Sequence, residues 1–129
     1  MQLKMTIIAA ALIAAARPGL AADQARGQEL YAQCIACHSI DGENGVGPTL
    51  KGVLGRRAGS LEDFRYSPAM RRATLVWDAG NLARFMEDPQ AVVRGNRMPF
   101  GGVEAAQDRA DIAAWLAEIG KPYSTIRSD

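Results

Sequence analysis

Apolar residues recur at helical spacing near both ends of this chain, with polar, glycine-bearing stretches between them. Gly27, Leu30, Tyr31 and Cys34 fall at i, i+3, i+4 and i+7, one face of an amphipathic helix running from about Asp23 into the residues around Cys34. Ile112, Trp115, Leu116 and Ile119 repeat that stripe, and Gly120-Lys121-Pro122 predicts its stop. Between them, Asp78 is placed to cap a helix that carries Leu82, Phe85 and Met86 on one face. Asp88-Pro89 ends that helix, and Pro89 can open a shorter one through Val93. Ser67-Pro68-Ala69-Met70 has the same form, with Ser67 as cap and Pro68 in the first turn. No segment alternates long enough for a convincing strand, and residues 42–59 and 95–102 read as loops. The pattern predicts an all-α fold in one domain, with terminal helices crossing where Gly27 lacks a side chain and Tyr31 and Trp115 pack around it. Loops this long in so small a domain are usually functional.

The first 22 residues read differently. Lys4 precedes the apolar run Ile7–Ala16, then Arg17-Pro18-Gly19, then small residues. That order is a secretory leader, cut near Ala21 or Ala22, with one domain over 23–129. The apolar run is far shorter than the roughly 20 residues of a membrane helix, so stable membrane insertion is not expected. A retained, buried helix is the alternative. Removing the leader takes Lys4 and Arg17 from the 15 basic residues and leaves the 14 acidic ones, a net charge of −1. Near-neutrality argues against a nucleic-acid binder and against broad adhesion to anionic lipid.

Both cysteines and the sole histidine lie in one run, Cys34-Ile35-Ala36-Cys37-His38. C-x-x-C-H is the attachment signature of a c-type haem. Thiols three apart can bond to the porphyrin edge, and the adjoining imidazole can ligate the iron. A thioredoxin-type dithiol needs a βαβ context that is missing here, and a structural zinc site needs four ligands. A large apolar cofactor would also supply interior that a short chain lacks.

Beyond that motif the chain resembles a class I cytochrome c over almost all of residues 24–122. The resemblance runs through Gly27 and Tyr31 before Cys34, Gly47-Pro48-Thr49-Leu50, Gly55-Arg56-Arg57-Ala58-Gly59 and Phe64-Arg65-Tyr66-Ser67-Pro68-Ala69-Met70. It continues through Trp77, Leu82, Asp88-Pro89, Gly95-Asn96-Arg97-Met98-Pro99-Phe100-Gly101-Gly102 and Asp108-Arg109-Ala110-Asp111 to Trp115-Leu116. It implies the cytochrome c fold, with helices and loops wrapped around one covalent haem c held through Cys34 and Cys37. It also implies His38 and Met98 as the two iron ligands. The residues alone leave the sixth ligand open: Met70 and Met86 sit in helical patterns where methionine is usually core filler, and Met98, in a glycine-bounded loop, merely leads. The resemblance further implies that the Pro48 carbonyl orients His38, that Arg56, Tyr66, Trp77 and Asn96 meet the haem propionates, and that Phe100 covers the haem face beside Met98. Packing alone is the competing role for Trp77.

The function implied is a soluble periplasmic one-electron carrier, not an enzyme and without catalytic residues. It would be monomeric and dock redox donors and acceptors at the exposed haem edge. The alternatives are a haem enzyme or gas or peroxide sensor with a labile Met98, and a dedicated subunit of a larger redox complex. Two departures from the family pattern matter. Phe85 stands where many relatives carry a tyrosine that hydrogen-bonds the axial sulfur. After the leader, Lys51 and Lys121 are the only lysines, so residues 89–98 lack the lysine that displaces methionine in many relatives. Lys51, Arg57, Arg71, Arg72, Arg94 and Arg97 are candidates for a docking patch. Gln33, Gln90 and Glu104 occupy positions where lysine is common, which predicts a smaller patch.

Overall fold

The computed structural model describes residues 21–120; the expected leader core and the Lys121-Pro122 stop lie outside them. Five α-helices follow in order: α1 (Gln24–Leu30), α2 (Pro68–Arg72), α3 (Ala79–Glu87), α4 (Pro89–Val92) and α5 (Ala106–Glu118). Side-chain caps start four of them. The carboxylates or hydroxyl of Asp23, Ser67, Asp78 and Asp88 accept from Arg26, Met70, Asn81 and Ala91 backbone N–H groups respectively, satisfying donors that a helix start leaves bare. Proline stands in the first turn of α2 and α4, where its missing N–H costs nothing.

The N-terminal helix is shorter than its stripe predicts. α1 ends at Leu30 and tightens into a 3₁₀ turn over Tyr31–Gln33. One further turn then carries Cys34 to His38, closed by His38 N–H to the Cys34 carbonyl at 3.0 Å. Apolar spacing survives this change because a 3₁₀ turn keeps i and i+3 on one side.

α1 and α5 pack together, and α3 packs on α5. The crossing depends on Gly27: a Cβ there would run into the Asp111 carbonyl and come 3.0 Å from the Trp115 Cβ. The Tyr31 and Trp115 rings pack beside it, tilted by 47° with centroids 4.7 Å apart. Ile112, Leu116, Leu82, Phe85, Met86, Val93 and Trp77 belong to the same buried core. Among the described residues the β-structure is one antiparallel bridge, Arg57 to Val76, which the sequence pattern did not announce. It ties the 42–59 loop to Trp77 through Trp77 N–H to the Arg56 carbonyl at 2.8 Å.

Candidate functional site: the Cys34–His38 turn and the residues facing it

His38 is half-buried, and its Nδ1 lies 2.7 Å from the Pro48 carbonyl. A carbonyl only accepts, so Nδ1 carries the proton and Nε2 keeps a free lone pair. Burial lowers the imidazole pKa, against a smaller opposing effect of the Pro48 bond; the neutral ring is the ligating form. Gly47 permits this placement. A Cβ at Gly47 would stand 2.5 Å from Cε1 and 2.8 Å from Nδ1 of the ring. The loop is pinned by Gly47 N–H to the Cys37 carbonyl at 2.8 Å. Tyr31 adds a hydrogen bond from its hydroxyl to the His38 carbonyl, and its burial lifts that phenol's pKa to about 12.

Cys34 and Cys37 share the turn with His38, with Cys37 N–H donating to the Cys34 carbonyl at 3.1 Å. Burial foremost, then the neighbouring Cys37, raises the Cys34 pKa. For Cys34 this is the opposite direction from the lowered pKa that marks a redox-active thiol. Among the described residues no group of three or more His, Cys, Asp or Glu is arranged to hold a metal ion, which leaves the zinc alternative without its ligands.

Arg56 donates to the Thr49 carbonyl at 2.8 Å and the Lys51 carbonyl at 2.7 Å. It also faces Tyr66, and burial lowers the guanidinium pKa while raising that of the phenol. A half-buried cation and a phenol side by side form a donor pair suited to a carboxylate. Trp77 is buried edge-on to Phe85, centroids 5.0 Å apart. Both of its expected roles, packing and indole donation, remain compatible with that position.

Asn96 is tied closely into its own loop. Its two amide protons go to the Pro89 and Val93 carbonyls at 3.0 and 2.9 Å, and its oxygen accepts the Met98 N–H at 2.9 Å. Through these bonds the side chain closes the end of α4 and holds the Met98 loop. Met98 and Phe100 are half-buried and pack on the core. Met86 is fully within the core, whereas Met70 sits at its fringe. The half-buried Ile40, Leu50, Met70, Leu75, Met98 and Phe100 offer apolar surface of the kind a porphyrin covers.

Two features of the surface had no signal in the spacing. Arg65, Arg71 and Arg97 line one cleft of about 480 Å³ with Tyr66 and Pro68. Arg97 is anchored there by a hydrogen bond to the Arg65 carbonyl at 2.6 Å. Beside the Cys34–His38 turn, Ile35 and Val46 are 61% and 75% exposed, leaving apolar contact area at that edge.

A thioether-ready cysteine pair, an oriented neutral imidazole on the same turn, and carboxylate donors nearby together define a covalent haem protein of the c type. Comparison with known proteins gives the particular family. The cytochrome c family profile matches residues 24–120. Cytochrome c2 of Rhodomicrobium vannielii is 40% identical over 117 residues, covering 89% of this chain and 94% of that one. Cytochrome c of Tetrahymena pyriformis is 39% identical, covering 75% of this chain and 89% of its own. Among solved structures, cytochrome cH from Methylobacterium extorquens superposes with a TM-score of 0.71 at 40% identity, over 74% of this chain and 97% of that one. The chain belongs to the cytochrome c family. It is a class I c-type cytochrome, an electron carrier and not an enzyme, with one haem c attached through Cys34 and Cys37.

Proposed function

We propose that the protein is a soluble periplasmic one-electron carrier whose haem iron is held by His38 and Met98. The observation that supports the ligation is the 2.7 Å contact between His38 Nδ1 and the Pro48 carbonyl, which leaves the Nε2 lone pair available to a metal, as an outer partner does for ligating histidines. The bound haem supplies the redox couple. The chain's own residues do the rest. Asn96 fixes the backbone of Met98, whose thioether would serve as the second iron ligand. A thioether favours the reduced metal relative to a second imidazole, and two strong ligands leave no position for substrate. Arg56, Tyr66 and Trp77 meet the propionates, whose charge would be costly to bury without donors. Phe100 covers the haem face beside Met98.

Export is supported by the leader-like order of residues 1–22. No helix among the described residues is long and apolar enough to cross a membrane. Partners dock where Ile35 and Val46 are exposed, with arginines steering acidic surfaces. The reading is tested by absorption spectra of both oxidation states, with carbon monoxide added to the reduced protein. A low-spin spectrum insensitive to carbon monoxide is expected, and Met98→Ala should become carbon monoxide-reactive. Rapid carbon monoxide binding by the native protein would instead establish the sensor or enzyme alternative.

A further inference from the structure

Where α1 crosses α5, two carboxylates pair with one guanidinium and a third lies at the start of α1. Asp111 is completely buried. Its Oδ1 accepts the Asp23 backbone N–H at 2.8 Å and the Gln107 amide at 2.7 Å, and its Oδ2 accepts Arg26 at 2.7 Å. Arg26 also pairs with Asp108, and the Asp23 carboxylate takes the Arg26 backbone N–H at 3.1 Å. Asp23, Asp108 and Asp111 thus outnumber Arg26 by two charges. A carboxylate shielded from water gains from any further cation that reaches it. The main-chain nitrogen of residue 23 already reaches it, and the preceding Ala21 and Ala22 are exposed and outside any helix.

We propose that Asp111 is the receptor for the α-ammonium released when the leader is removed. This rests on the export reading above. Hydrolysis by a leader peptidase consumes one water, leaves a carboxylate on the leader, and leaves an amine on the mature chain that takes up a proton. A cut at Ala22–Asp23 turns the nitrogen 2.8 Å from Asp111 into the charged terminus, and a neutral hydrogen bond into a charge-assisted one. A cut after Ala21 sets the terminus one residue earlier, beside Gln107, whose amide spans the Ala21 carbonyl at 3.2 Å and Asp111 at 2.7 Å. Either way, processing adds one positive charge to the network that joins α1 and α5.

The groups facing the new amine are Asp23 and Arg26 from α1, and Asp108, Asp111 and uncharged Gln107 from α5. Glu118 lies further along α5 and accepts from Gln24 at 3.2 Å. Net negative surroundings raise the amine pKa above its ordinary value of about 7.7–8.0. A raised folded pKa contributes stability below the unfolded value and loses it as pH rises through the folded one.

The test uses the exported holoprotein. Intact mass locates the N-terminus, and ¹³C-dimethylation of the α-amine, which keeps its charge, allows titration by NMR. A chain beginning at Ala22 or Asp23 is expected, with its amine holding a proton at least about tenfold more tightly than a free terminus, one pKa unit. Asp111→Asn should abolish that shift. Asp108→Asn, at a partly exposed site, should reduce it and serves if the first variant does not fold. A processed chain whose amine titrates in the ordinary range, unmoved by Asp108→Asn, overturns the receptor assignment alone. A holoprotein that retains residues 1–20 overturns the export reading beneath it.

Discussion

Phe85 shows how much one missing hydroxyl can decide. The side chain is buried in the core against Trp77, and it has no donor to offer the Met98 sulfur. With Met98 as the proposed ligand, that sulfur would keep more electron density for iron and so favour the ferric state. Phe85→Tyr is expected to raise the midpoint potential in equilibrium redox titration; an unchanged or lower potential would refute the argument. The charged residues of the 89–98 loop lead to a second expectation. Arg94 and Arg97 stay protonated and have no lone pair to give a metal. The ferric protein should therefore keep its methionine band through mildly alkaline pH, with no lysine-ligated form in the spectrum. Asn96 carries a lesson of the opposite sort. The resemblance implies a propionate donor there, and the structure adds bonds from its amide to the Pro89 and Val93 carbonyls. Such bonding is a property of the neighbours, which spacing along the chain does not record.

At the scale of elements, the helices were legible because their starts are written locally. Asp78, Asp88 and Ser67 act as caps within three residues of the groups they satisfy. The 3₁₀ turn after α1 and the bridge between Arg57 and Val76 were not legible, since the first preserves apolar spacing and the second pairs distant segments through backbone groups. The crossing of α1 and α5 was anticipated from Gly27, and its tightness makes it brittle. Gly27→Ala forces a methyl into the Asp111 carbonyl, and overpacking of this kind typically costs about 1–3 kcal/mol. Denaturant unfolding of the holoprotein should show at least that loss; a neutral result would mean the helices can separate freely.

Across the whole molecule, charge is distributed unevenly. Acidic groups gather on the terminal helices around Asp108 and Asp111, whereas Arg65, Arg71 and Arg97 share one cleft. A docking patch built on that cleft predicts that electron transfer from an anionic reagent such as ferrocyanide slows as ionic strength rises. The combined Arg65→Gln, Arg71→Gln and Arg97→Gln protein should show a lower rate and a flatter salt dependence. Equal slopes in stopped-flow measurements would rule the cleft out as the steering element.

The sequence by itself determined the cofactor attachment, the helix starts and the all-α class, because each depends on groups within a few residues of one another. Cys34, Cys37 and His38 share a single turn whatever the rest of the chain does. Only the tertiary structure decided which partners the loops deliver. Pro48 meets His38 because Gly47 leaves room for the ring, Asn96 holds the Met98 backbone, and Asp111 on α5 grips the main chain at Asp23. These contacts join residues whose meeting depends on how the whole core packs, so no local pattern contains them.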